Sequence, residues 1–170
     1  LTDWLFPSLK IQRTADESAL IKRTFAILAN AAVAQPQVIV HRDFHSRNLM
    51  KLENETDLGV IDFQDAVIGA YSYDLVSLVR DAYVEWPEDQ VSSWIQDCWQ
   101  LQKQAELATA DNAAQFENDV NVMGVQRHLK VLGIFIRLFE RDGKSRYLAD
   151  IPKVMRDLIF ELEWLAEHGN

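Results

Sequence analysis

The sequence predicts an α+β fold that is mostly helical, and three observations carry that prediction. Apolar residues recur at helical spacing over residues 14–34. The same spacing dominates most of the chain beyond Asp74. Between these regions only residues 38–40, 49–52 and 58–61 have the short apolar runs of strands. The chain has 170 residues, 48% of them apolar, enough for one domain with a core. No internal repeat or low-complexity linker interrupts it.

Each element has a local signature. Residues 1–13 read as the end of a helix or a loop, broken by Pro7. Thr14-Ala15-Asp16-Glu17 is a capping box: the Thr hydroxyl caps backbone N–H groups and the Glu reaches back. The helix it opens runs to about Ala34, with Leu20, Phe25, Leu28 and Ala32 on its apolar face, and Pro36 ends it. Val38-Ile39-Val40 reads as a short buried strand. Residues 49–52 and 58–61 read as a hairpin turned by Glu53-Asn54-Glu55-Thr56-Asp57, followed by a loop to Tyr73. Asp74 is placed to cap a helix to about Ala82, Pro87 to open another, and Asp111-Asn112 to cap a long one to Glu140. Asp142-Gly143 breaks that helix. A last one over residues 151–166 carries Val154, Leu158, Leu162 and Leu165 on one face.

Composition excludes several classes. A formal net charge of −9 argues against a broad nucleic-acid footprint, which needs a basic face. The single cysteine, Cys98, excludes an internal disulfide framework and a multi-cysteine zinc site. It reads as a packed thiol. The apolar run at residues 131–136 is far too short to span a membrane. LTDWLFPSLK lacks the charged start and long apolar stretch of a secretion signal, so a cytoplasmic location is expected.

The chemistry concentrates in HRDFHSRNLM, residues 41–50. His41-Arg42-Asp43 is followed five residues after the Asp by Asn48, then by a hairpin ending in Asp62-Phe63. H-R-D-x-x-x-x-N, a hairpin and D-F together form the pattern of a phosphoryl-transfer catalytic loop. Such a reaction needs a carboxylate to accept the acceptor's hydroxyl proton, which assigns Asp43 as the base. It also needs oxygen ligands for Mg²⁺, which assigns Asn48 and Asp62. Arg42 and Arg47 are cations able to keep the carboxylates ionised.

These residues resemble the C-terminal lobe of the aminoglycoside phosphotransferase-like kinases, a branch of the protein-kinase-like fold, whose loop is commonly H-G-D or H-x-D. The stretches VIDFQDAVIGAYSYDLVSLVRDAYVEWPE and MGVQRHLKVLGIFIRLFERDGKSRYLADIP resemble the bacterial kinases of that branch that phosphorylate the anomeric hydroxyl of N-acetylmuramate and N-acetylglucosamine. The resemblance implies a C-lobe with a small β-hairpin at its catalytic loop, ATP and Mg²⁺ as cofactors, and a role in cell-wall sugar recycling. It implies that Asp74, in YDL, props the catalytic loop, and that His41 and Arg42 support it. His45, Arg47, Gln64 and Asp65 flank the expected acceptor site, and Tyr71, Tyr83 and Trp86 are the aromatic faces expected to stack on a sugar. On the long helix Arg127, His128, Lys130 and Arg137 are candidates for meeting a sugar carboxylate, Arg137 being retained as the candidate site residue.

The first glycine is Gly59, so no glycine-rich loop precedes residue 41 to cover ATP phosphates. Residues 1–170 are therefore expected to form a single C-lobe whose N-terminal nucleotide-binding lobe is absent from this chain. That lobe, or self-association, would cover the face left exposed. The partner otherwise expected is a small sugar or alcohol, with neither nucleic acid nor membrane. Two other readings fit the residues: an aminoglycoside or other small-alcohol kinase, and a non-catalytic binding module with a kinase-like fold.

Overall fold

The computed structural model describes residues 1–53 and 57–169. In chain order the helices are α1 (Leu5–Ser8), α2 (Ala15–Ala34), α3 (Tyr73–Val79), α4 (Glu88–Gln104), α5 (Ala113–Asp142) and α6 (Ile151–His168). The strands are β1 (Gln37–Val40), β2 (Leu49–Lys51), β3 (Leu58–Val60) and β4 (Val67–Ala70), and short 3-10 turns cover Ser46–Asn48 and Ser145–Asp150. Helices dominate and the sheets are small, as the sequence predicts. The chain divides into two compact units, Ala32–Val120 and Leu1–Ala31 with Asn121–Asn170.

The first unit holds all the strands. β2 and β3 form the expected antiparallel hairpin, with Leu49 opposite Val60 and Lys51 opposite Leu58. Of the turn residues, Asn54, Glu55 and Thr56 lie outside the described residues. The expected loop to Tyr73 is corrected by β4, which pairs antiparallel with β1, Val40 opposite Val67 and Ile39 opposite Ile68. Its four residues include Gly69, which dilutes the strand signal. Gly69 is needed there, because a side chain on it would press into Val40 at 2.8 Å. The strand is also not buried throughout: Val40 is 3% exposed, but Ile39 and Ile68 are 78% and 67% exposed. One face of the β1–β4 pair enters the core and the other carries apolar side chains in the open.

α3 ends at Val79, short of the expected Ala82, and Pro87 takes the cap position of α4. A polar seam joins the residues just before α3 to Gln35 and to Asp119 of α5. Ser72 Oγ donates to Gln35 Oε1 (2.5 Å), Gln35 Nε2 donates to the Asp119 carbonyl (3.0 Å), and Tyr71 Oη donates to the Asp119 carboxylate (2.9 Å). Burial pushes both the Tyr71 hydroxyl and the Asp119 carboxyl up from their ordinary values, and the neighbouring Asp119 charge adds to the effect on Tyr71. Burial likewise raises the Cys98 thiol, as suits a packed, inert cysteine.

The second unit shows the capping box as expected. Thr14 N donates to Glu17 Oε2 (2.7 Å) and Glu17 N to Thr14 Oγ1 (3.2 Å). The Thr14 amide, then its hydroxyl, hold the Glu17 carboxyl below its ordinary value. That contribution is present at neutral pH and is lost as pH falls through the folded-state value. Leu20, placed on the α2 apolar face, is instead 53% exposed.

The α6 stripe also differs from expectation. Val154 and Leu158 are buried, but Leu162 is 46% exposed and Glu161 is fully buried in its place. Glu161 packs against α5 where Gly124 leaves room, and a methyl at Gly124 would strike its carboxylate. His128 Nδ1, on α5, donates to Glu161 Oε2 at 2.8 Å. His128 Nε2 lies 3.7 Å from Asp157, which Lys153 holds at 2.6 Å. Arg127 and His128, expected as candidates for meeting a sugar carboxylate, are instead buried, at 6% and 1% exposed. We predict that His128→Ala costs about 3–5 kcal/mol in urea denaturation, because it leaves the Glu161 carboxylate buried without its imidazole. Gly124→Ala is expected to destabilise in the same assay, and a melt unchanged by either would refute the pairing as a support of the α5–α6 contact.

Candidate active site

The site begins where β1 ends. Val40 is anchored in the core and the chain then turns out as residues 41–48. The His41 and Arg42 amides donate to the Asp74 carboxylate at 2.6 and 3.0 Å. Asp74 is the second residue of α3 and makes no capping bond to it, so its carboxylate faces the loop and not its own helix. This corrects the expectation of a helix cap. Arg42 has φ 76°, in the left-handed region that glycine enters freely and other residues enter at a cost of about 1–3 kcal/mol. Two hydrogen bonds to a charged acceptor, about 1.5–3 kcal/mol each, are of the size needed to hold it there.

A second strained residue lies across the site. Asp62 has φ 68°. Two bonds join its approach to the loop: Ile61 N donates to the Asn48 carbonyl (3.1 Å), and His41 Nε2 lies 2.9 Å from the Ile61 carbonyl. A carbonyl only accepts, so Nε2 carries the imidazole proton. Asn48 Nδ2 then donates to the Asp43 carbonyl at 2.8 Å and to Asp62 Oδ2 at 3.4 Å. Both bonds use the amide nitrogen, which leaves Oδ1 as an acceptor. Gln64 Nε2 donates to the other oxygen of Asp62 at 2.8 Å. The Asp43 carboxylate makes no hydrogen bond or ion pair among the described residues.

The donor set fits Mg²⁺. Asn48 and Asp62 meet through the Asn48 amide nitrogen, and between them they offer an amide oxygen and a carboxylate, both hard oxygen ligands; Mg²⁺ commonly takes one or two carboxylates and completes its shell with phosphates and water. Among the described residues no group of three or more His, Cys, Asp and Glu is placed to hold a metal without such help.

The remaining candidates are placed as follows. His45 meets the edge of Tyr83 with ring centroids 5.6 Å apart, and the Arg47 guanidinium lies 3.4 Å from the centre of the same ring. Gln64 is engaged with Asp62. The Asp65 carbonyl accepts from Arg42 Nη1 at 3.3 Å, and its side chain is exposed. Trp86 meets Trp94 edge to face and lines, with Leu75, Leu78, Val84 and Ser46, an apolar cavity of about 430 Å³ beside the catalytic loop. Arg137 belongs to the other unit.

One organising residue escaped the sequence reading. Asp81 is 1% exposed and accepts from Ser46 N (2.9 Å), Ser46 Oγ (2.5 Å) and Tyr83 N (2.9 Å). It ties the catalytic loop to the segment after α3. Its only signal is an acidic residue just past a helix end, which is common turn chemistry. Its neighbour Arg80 is held bidentately by Glu88 at 2.7 and 2.9 Å.

A loop with an unengaged carboxylate and an amide oxygen, beside a second carboxylate at the end of a hairpin, suits a phosphotransferase of the kinase-like class. Residues 3–111 match the phosphotransferase enzyme family, and the chain belongs to it. It is 43% identical to the N-acetylmuramate/N-acetylglucosamine kinase of Pseudomonas putida over 97% of this chain and 51% of that protein. It is 42% identical to the enzyme of the same name from Pseudomonas aeruginosa, over 92% of this chain and 46% of that protein. For the one from Neisseria meningitidis the identity is 45%, over 85% and 43%. The chain thus spans about half the length of the curated relatives it matches. Among the described residues no helix is long and apolar enough to cross a membrane.

Asp74→Ala removes the acceptor of two loop amides. Amide hydrogen exchange at His41 and Arg42 is expected to accelerate by at least about tenfold, and the protein to lose about 1.5–3 kcal/mol of stability. Exchange at those two amides unchanged from the parent would show that Asp74 does not hold the loop.

Proposed function

We propose that this chain is the catalytic lobe of an ATP-dependent kinase acting on the anomeric hydroxyl of N-acetylmuramate and N-acetylglucosamine. The observation that carries the reading is Asn48, whose amide nitrogen bridges the Asp43 carbonyl and the Asp62 carboxylate. It draws base and metal ligands into one cluster. Asp43 accepts the proton of the sugar hydroxyl as that oxygen bonds to the γ-phosphorus, and the bond to ADP breaks. Asn48 Oδ1 and the Asp62 carboxylate would hold Mg²⁺, which when bound offsets the charge of the phosphates. Asp74 and His41 position the loop, and Arg42 carries the backbone turn that aims Asp43. The similarity to the named sugar kinases supports the choice of acceptor.

The apolar face of the β1–β4 pair supports a lobe that lies outside this chain. Ile39, Ile68, Phe63 and Leu58 are each more than 60% exposed around the strands that carry the site. In this reading an N-terminal nucleotide-binding lobe covers that face and supplies the phosphate-covering loop, and the whole protein works in the recycling of cell-wall sugars in the cytoplasm. The 170-residue chain alone is expected to bind MgATP weakly and to turn over negligibly.

Incubating the full-length protein with MgATP and either sugar should give a new phosphomonoester in ³¹P NMR, coupled to the anomeric proton. Asp43→Ala is expected to lower the rate by about 10²–10⁴-fold. Phosphate appearing on kanamycin and on neither amino sugar would replace the acceptor assignment. An unchanged rate in Asp43→Ala would remove Asp43 as the base.

A further inference from the structure

We propose that Arg47 reads the carboxylate of the acceptor, and so distinguishes N-acetylmuramate from N-acetylglucosamine; this rests on the acceptor reading above. The two sugars share the acetamido group and the anomeric hydroxyl. They differ in the lactyl ether, which gives N-acetylmuramate one negative charge. A cation held ready near the base is the feature that would sense that difference.

The arginines of the Ala32–Val120 unit are spent differently. Arg80 is 4% exposed and committed to Glu88. Arg42 donates to the Asp65 carbonyl. Arg47 is exposed and lies against a ring, 3.4 Å from the centre of Tyr83, with no carboxylate beside it among the described residues. A guanidinium resting on an aromatic face keeps its in-plane N–H donors for oxygen, in the fork that suits a carboxylate.

The shelf beneath Arg47 is built in advance. Asp81, buried, takes the amide and hydroxyl of Ser46, the residue before Arg47, and the amide of Tyr83. One carboxylate therefore fixes both the backbone that bears the guanidinium and the ring that supports it. The loop between base and arginine is also tightly wound: His45 N donates to the Asp43 carbonyl (3.0 Å) and Asn48 N to the His45 carbonyl (2.9 Å). Arg47 thus lies in the same short, rigid segment as the carboxylate that meets the acceptor hydroxyl.

The test is steady-state kinetics of the full-length protein with three acceptors: N-acetylmuramate, its methyl ester and N-acetylglucosamine. In the unsubstituted enzyme, esterification should lower kcat/KM toward the value for N-acetylglucosamine. In Arg47→Ala the ratio of kcat/KM for N-acetylmuramate to that for N-acetylglucosamine should fall by about 10- to 100-fold, the worth of a charged hydrogen-bonded contact, through KM. The ester should then lose little more than the acid has lost already. Equal losses of kcat for all three acceptors would place Arg47 on the transferred phosphoryl group and overturn the proposal. A ratio unmoved by the substitution, or an ester used as well as the acid, would overturn it too. Failure of the unsubstituted enzyme on every amino sugar would instead strike the acceptor reading itself, and the proposal with it.

Discussion

The candidate site depends on one carboxylate, Asp74, that is committed to the backbone of the loop. Asp74 takes the amides of His41 and Arg42 and so holds the backbone at Arg42 in a conformation its side chain disfavours. From that turn the rest follows. His41, fixed at its amide, reaches the Ile61 carbonyl and so reaches the start of the second strained turn, at Asp62. Asn48 closes the ring by touching both Asp43 and Asp62. Local strain of this kind persists only where surrounding bonds over-determine the conformation. Here the bonds come from α3, from the hairpin and from the loop itself.

Asp81 does for the segment that bears Arg47 what Asp74 does for the turn at Arg42. Both sit at or just beyond the ends of α3, and both accept from loop backbone. A seven-residue helix thus carries an anchor near each end. This division separates support from reaction. The anchors are engaged, while Asp43 is left with its carboxylate uncommitted.

Much of this was legible in the sequence because it is local. H-R-D-x-x-x-x-N followed by a hairpin and Asp62 is a spacing pattern, and the capping box at Thr14 is four consecutive residues. What escaped depends on contacts distant in sequence. β4 is four residues with a central glycine and becomes a strand through pairing with β1. The burial of Glu161 has no mark in the sequence, because nothing local announces that His128 and Gly124 await it on another helix. Asp81 was hidden for the same reason. Ile39 is exposed although it lies in an apolar run, because such a run alone cannot say which face of a strand is covered.

In the function proposed for this chain, Asp43, Asn48 and Asp62 form one phosphoryl-transfer cluster held by Asp74. The most direct measurement is a crystal structure of the full-length protein with a non-hydrolysable ATP analogue, Mn²⁺ in place of Mg²⁺, and N-acetylglucosamine. Anomalous density for Mn²⁺ bonded to Asn48 Oδ1 and the Asp62 carboxylate is expected, with the sugar's anomeric hydroxyl hydrogen-bonded to Asp43. A metal bound elsewhere, or a sugar whose anomeric hydroxyl faces away from Asp43, would contradict it.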